Sequence, residues 1–352
     1  MAFSLAACVA TLPAALAQTL ASQTQEAKKT REGKKTHKFK QEKGVQTFAV
    51  RPPVLTIKPG DTVESETIYG GYYERPGGAW PGEVGPFLIE GATPNDTLVV
   101  KIVKLRTNRD HAVSTMTPGF SAVASDRSTP MLNDPLPRRR YVWKLEGAGS
   151  TSGFRAESTV GVLELPDSKK TIRIPLHPML GRVAVAPAGE EAFGGLWPGN
   201  FGGNMDVSDV REGATVYLPI FHEGAYFYFG DGHAAQGDGE ICGSGLETTM
   251  DVTLEFQLIK GKKIAWPRIE NDEYIMTVGS VRPLSDALRI AAVEMIGWIA
   301  ADYGFDKLDA LQFVSQAAEM RVGNMVDPNY SVVVKMKKNL LPARSSTVQA
   351  KR

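Results

Sequence analysis

Phe229-Gly-Asp-Gly-His-Ala-Ala-Gln-Gly-Asp-Gly-Glu240, running on through Ile241-Cys-Gly-Ser-Gly-Leu-Glu247, is the stretch from which the rest of the chain can be read. Its nineteen residues hold six glycines, two aspartates, two glutamates and one of the five histidines. Apolar segments flank it, 214–229 before and 252–259 after. That layout predicts a functional loop held between two strands. Glycines allow positive φ and close approach of a ligand, and carboxylates with an imidazole suit a metal or proton-transfer site.

Working outward, Thr215–Pro219 and Arg182–Pro187 read as short strands, separated by a glycine-rich loop from Gly194 that ends at Asp206. Period-two alternation and β-branched runs predict further strands at Thr47–Arg51, Val54–Ile57, Asp61–Thr67, Phe87–Glu90, Thr97–Leu105, Arg138–Leu145, Val160–Glu164 and Lys169–Pro175. The segments 69–86 and 108–137 show no regular pattern. Helical period is clear near the end, with a cap at Leu284-Ser-Asp286, one helix over Ala287–Ala301 and a second from Asp306 to about Arg321. Tyr330–Met336 closes the chain as a strand. The fold class expected is mainly β with a late helical pair.

Composition agrees. Thirty-five glycines and 22 prolines in 352 residues suit a turn-rich β protein. A formal charge of +1 supplies no global attraction for nucleic acid or an anionic membrane. No apolar run is long enough to span a bilayer, so no membrane insertion is expected. Residues 1–17 are uncharged, apolar and small, and Ala15-Leu-Ala17 has the pattern of a signal-peptidase site. Export to the periplasm or outside is therefore expected, and a cytoplasmic location if this segment is not a signal. The mature chain would then keep Cys242 alone, which excludes an internal disulfide framework. Residues 18–44, with eight Lys/Arg between Glu26 and Lys43 against three acids, predict a disordered basic linker. The folded domain is placed at 45–345.

The stretch Gly230–Glu240 resembles the hallmark of the acetamidase/formamidase family. Supporting blocks follow in the family's order: Val54-x-x-Ile57-x-Pro59-Gly-Asp-Thr62, Gly85-Pro-Phe-x-Ile89-Glu-Gly-Ala92, His177-Pro-Met-Leu-Gly181 and Gly202-Gly-Asn-Met-Asp206. The resemblance implies a β-rich fold, sandwich- or barrel-like, that hydrolyses small amides such as formamide and acetamide, self-associates and holds zinc or calcium. The segments 69–80 and 108–137 depart from the family pattern and are expected to shape the substrate pocket.

Amide hydrolysis needs an activated water, a polarised carbonyl and a proton for the leaving nitrogen. A divalent cation, zinc or alternatively calcium, would supply the first two. The expected ligands are Asp206, His233 and Glu247 with Asp231, and either Asp238 or Glu240 is the general base. The amides of Gly237 and Gly239 are expected to receive the oxyanion. Cys242 as a thiol nucleophile is the competing mechanism. A different amide, or a secreted cation-binding protein without turnover, is the alternative function.

Overall fold

The computed structural model describes residues 34–124, 137–147 and 158–344. The expected signal segment 1–17 and Cys8 lie outside the described residues.

Two sheets face each other. The larger has nine strands, ordered Thr36–Lys38, Thr62–Glu66, Met250–Ile259, Thr97–Thr107, Thr215–Pro219, Arg268–Glu270, Tyr274–Val281, Tyr330–Lys337 and Glu319–Asn324. The smaller has six: Pro198–Gly199, Gly202–Asn204, Met179–Ala184, Phe227–His233, Val84–Ile89 and Leu55–Ile57. Alternation decides which faces turn inward. Met250, Val252, Leu254 and Phe256 are buried on one strand, and with Leu98, Val100 and Ile102 they meet Phe87, Leu180, Val183 and Phe227 of the six-stranded sheet in one core. Phe227 and Phe256 touch edge to face across the gap, with ring centroids 5.1 Å apart. The mainly β, sandwich-like expectation holds. A further four-stranded sheet, from His111–Met116 to Thr171–Pro175, packs over Ala234, Ala235 and Leu246.

The helices Leu284–Tyr303 and Lys307–Ala317 cover the outer face of the large sheet, with Trp298, Met295 and Ile299 against Tyr217, Ile275 and Val334. Pro283 precedes the first helix and makes no side-chain cap. The second helix ends earlier than its period suggested. Ala318 is extended, and Glu319–Asn324 leaves as a strand paired with Tyr330–Lys337. Ladder hydrogen bonds along that strand outweigh the helical preference of Glu, Met and Arg.

Three other expectations change. The linker 18–44 is ordered over its described part, where Thr36–Lys38 adds a parallel edge strand to Thr62–Glu66. His37 Nε2 lies 2.8 Å from Asp61 Oδ2, which anchors it. Segment 69–86 contains a helical turn, Gly71–Glu74, and the start of the strand Val84–Ile89. Segment 108–137 contains the strand His111–Met116. The opening stretch is itself partly a strand: Phe227–His233 is buried along its whole length in the six-stranded sheet, and the loop begins only after His233.

Candidate active site

Asp231 and His233 sit at the end of that buried strand. Asp231 has φ +59, which breaks the pleat. Asp206 (φ +50) and Glu240 (φ +48) share this left-handed conformation. Thus three of the six described non-glycine residues with positive φ are site carboxylates. Such backbone persists only where surrounding structure over-determines it. The glycines of Gly230-Asp-Gly232 serve a different purpose, since neither has positive φ. Gly230 leaves the space that the Glu83 carboxylate occupies.

Glu247 returns opposite His233 through an antiparallel bridge. His233 Nε2 lies 3.3 Å from Asp231 Oδ1 and 3.2 Å from Glu247 Oε1. Its Nδ1 faces Gln236 Oε1 at 2.8 Å. Gln236 in turn donates to the carbonyls of Asp206 and Gly323, which ties three segments together. Asp206 arrives from the glycine-rich loop after Asn204, and Asn324 Nδ2 donates to its Oδ2 at 3.1 Å. Arg182, flanked in the sheet by Asn204 and Gly230, lies with Nε 3.3 Å from Asp231 Oδ2 and Nη1 2.6 Å from Glu83 Oε1. Asn204 donates to Asp327 Oδ2 at 2.5 Å.

Six buried carboxyl groups (Glu83, Asp206, Asp231, Glu240, Glu247 and Asp327) thus surround one guanidinium and one imidazole. Like charges at this density cannot all ionise away from water. Burial, followed by the neighbouring carboxylates, drives Asp206 well above the ordinary carboxylate range. Burial does the same to Glu240, and only His233 pulls against it among the charges named. Burial also raises Asp327, to about 7. For Asp231 burial is outweighed by Arg182 and His233, which hold it below the usual range. Burial opposes a charge on His233, yet Glu247 and Asp231 raise its pKa well above that of free imidazole.

The donor set suits a divalent cation. Asp206, His233 and Glu240 form one group of potential ligand atoms and Asp231, His233 and Glu247 a second, with atoms inside each group within 4.8 Å of one another. Asp206 Oδ1, His233 Nε2 and Glu247 Oε2 are buried without a hydrogen-bond partner. Unsatisfied buried polar atoms are costly, and a cation satisfies several at once.

Asp206, Asp231, His233, Glu240 and Glu247 are therefore brought together. Asp238 is not: it is half-exposed and held by Arg321, with contacts of 2.8 and 2.9 Å. The Gly239 amide donates to Val322 O at 2.9 Å, and Gly237 is exposed, so the expected oxyanion pair is not assembled. Cys242 is exposed, and it belongs to neither group of potential ligands. His177 is exposed as well.

Glu83, Arg182, Asn204, Gln236, Asn324 and Asp327 were not foreseen. Arg182 alone had a legible signal, a charge inside a strand whose every residue is buried. A cavity of about 330 Å³ opens onto Asp231, Glu240 and Glu247 and is walled by Tyr72, Trp80 and Phe120. Tyr72 and Trp80 come from one of the two segments expected to shape the pocket.

A sequence model described as the acetamidase/formamidase family matches residues 157–341. The chain belongs to that family. It is 27% identical to an acetamidase of Mycolicibacterium smegmatis over 241 residues, which is 57% of this chain and 58% of the relative. It is 28% identical to a formamidase of Methylophilus methylotrophus over 213 residues, 50% of this chain and 51% of the relative. The chain thus spans about half the length of the curated relatives it matches. Among solved structures, an acetamidase from Yersinia enterocolitica superposes with a TM-score of 0.76 at 35% identity, covering 87% of this chain and 93% of that one. An acetamidase from Bacillus halodurans gives 0.71 at 26%, covering 86% and 98%.

Proposed function

We propose that the chain hydrolyses the C–N bond of a small linear carboxamide to the acid and ammonia. The observation that carries this reading is the convergence, beside a cavity, of buried atoms of Asp206, His233 and Glu247 that make no hydrogen bond, and family membership supports it. Asp231, His233 and Glu247 would hold a divalent cation, with Asp206 alongside; the imidazole favours zinc, and the oxygen-rich remainder also accepts calcium. When bound, the cation supplies Lewis acidity toward the carbonyl and a lowered pKa for water.

The chain's own residues do the rest. Glu240 lines the cavity and stands with Asp206 and His233, so it is assigned the proton transfer from the attacking water to the leaving nitrogen. Asp238, turned away to Arg321, drops out as the base. Arg182 fixes Asp231 and Asn324 fixes Asp206. Tyr72 and Trp80 form an aromatic wall on one side of the cavity.

Metal analysis of the purified protein, with ammonia release from formamide and acetamide measured before and after chelation, tests the reading. Bound metal with turnover that is lost on chelation and restored on re-addition is the expected result. Metal retained with no turnover on these or larger amides would instead favour a non-catalytic cation-binding protein. Self-association and export belong to the same reading. Light scattering reports the first, and N-terminal sequencing of exported protein, expected to begin near Gln18, the second.

A further inference from the structure

A second cavity, of about 380 Å³, adjoins the first and shares Tyr72, Thr115 and Thr117 with it. Its wall carries Arg75, Arg138, Arg139 and Arg140. The hairpin register sets Arg140 opposite Thr115 of the shared wall and Arg139 opposite Met116 of the outer chamber. Among the described residues, the carboxylates recorded against these arginines are Glu74, 4.0 Å from Arg75, and Asp167, paired with Arg139. Arg140 donates to Tyr73 O at 2.7 Å, while its Nε is buried without a partner. Four guanidinium groups against two exposed carboxylates make this chamber cationic.

We propose that this chamber is a vestibule selecting amides that carry a carboxylate at the end remote from the scissile bond. The inference rests on the amide-hydrolase reading for its inner end. The two cavities differ in their lining: carboxyl groups of Asp231, Glu240, Glu247 and Asp327 gather round Arg182 in the inner one, whereas the charged side chains of the outer one are arginines. A substrate carboxylate held by the outer arginines leaves its amide end facing the shared wall and the inner cavity. Arginine suits that task because its fork of donors matches a carboxylate. Size agrees, since cavities of roughly 300–1,000 Å³ enclose drug-sized ligands, and a two-carbon amide would leave most of this space empty. The arginines lie on or beside the two segments that depart from the family pattern, 69–80 and 108–137.

The test compares ammonia release from succinamate with that from neutral butyramide, in the wild type and in the Arg138→Gln/Arg139→Gln double variant. The wild-type kcat/KM should favour succinamate by roughly tenfold or more, and that preference should decline with added salt. The double variant should reduce the ratio by about tenfold. Equal kcat/KM for the two amides, or a ratio untouched by the double substitution, would overturn the vestibule while leaving amide hydrolysis in place. Succinate binding, measured by calorimetry, separates the two readings further. If no amide is turned over, hydrolysis fails; succinate binding that weakens about tenfold in the double variant would still support the vestibule, and absent binding would overturn it.

Discussion

A methyl group on Gly181 would stand 2.5 Å from Asp206 Oδ1 and 2.6 Å from Asp231 Oδ2. Both carboxylates would have to move, and each is already held in left-handed backbone that resists adjustment. Gly181→Ala should therefore fold, because the strand itself is unchanged, yet lose bound cation and at least ~10²-fold in kcat/KM, the scale of a 1 Å misplacement. Metal content and ammonia release, measured together, check this. The two acids of Asp238-Gly-Glu240 make a second comparison. Glu240→Gln should lower kcat by about 10²–10⁴ as a lost proton carrier does. Asp238→Asn removes only a half-exposed ion pair with Arg321, for which about 0–1 kcal/mol of stability is expected, and should turn over amide at near the wild-type rate. The reverse ranking would return the general base to Asp238.

The elements divide into those their own residues announce and those their neighbours impose. Met250–Ile259 alternates buried and exposed residues along most of its length, so it could be read directly. Glu319–Asn324 is exposed over its first half and takes strand form from pairing with Tyr330–Lys337, which no local pattern contains. The same distinction runs through the site. Asp231, His233, Glu240 and Glu247 stood out as scarce residue types among glycines. Glu83, Asn324 and Asp327 reach the centre through sheet register and chain reversal, which spacing does not encode. A turn offers a test of element stability. Asp96 closes the segment before Thr97–Thr107, accepting bonds from the Thr93 amide, the Gly261 amide and Lys260 Nζ. Burial alone would raise its pKa, but the Lys260 and Gly261 bonds lower it to about 2. The folded value lies below the unfolded one, so the stabilisation is complete above the unfolded carboxylate pKa and is lost as pH falls through about 2. Asp96→Asn should cost on the order of 2 kcal/mol at neutral pH. In denaturant unfolding the gap to wild type should close as pH approaches 2.

At the scale of the whole molecule, residues far apart in sequence close the structure. The strand Thr36–Lys38 shields an edge of the large sheet that would otherwise be open to pairing with another chain. His37→Ala leaves the Asp61 carboxylate without that partner and should lower stability by about 1–2 kcal/mol. Denaturant midpoints would show the loss, and light scattering would show whether the loosened edge also promotes aggregation. An unchanged midpoint would mean that the backbone ladder alone holds the strand.

Asn324 and Asp327 complete the centre from the far end of the chain, Asn324 donating to Asp206 and to Asp327. Synthesis runs from the N-terminus, so Asp206, Asp231, His233, Glu240 and Glu247 are all made before the residues that enclose them. Until the hairpin of 319–337 is in place, Asp206 lacks the Asn324 bond and Gln236 lacks its Gly323 carbonyl. A growing chain thus carries the candidate ligands before it carries the residues that fix Asp206, and the proposed site is complete only once the C-terminal hairpin has docked.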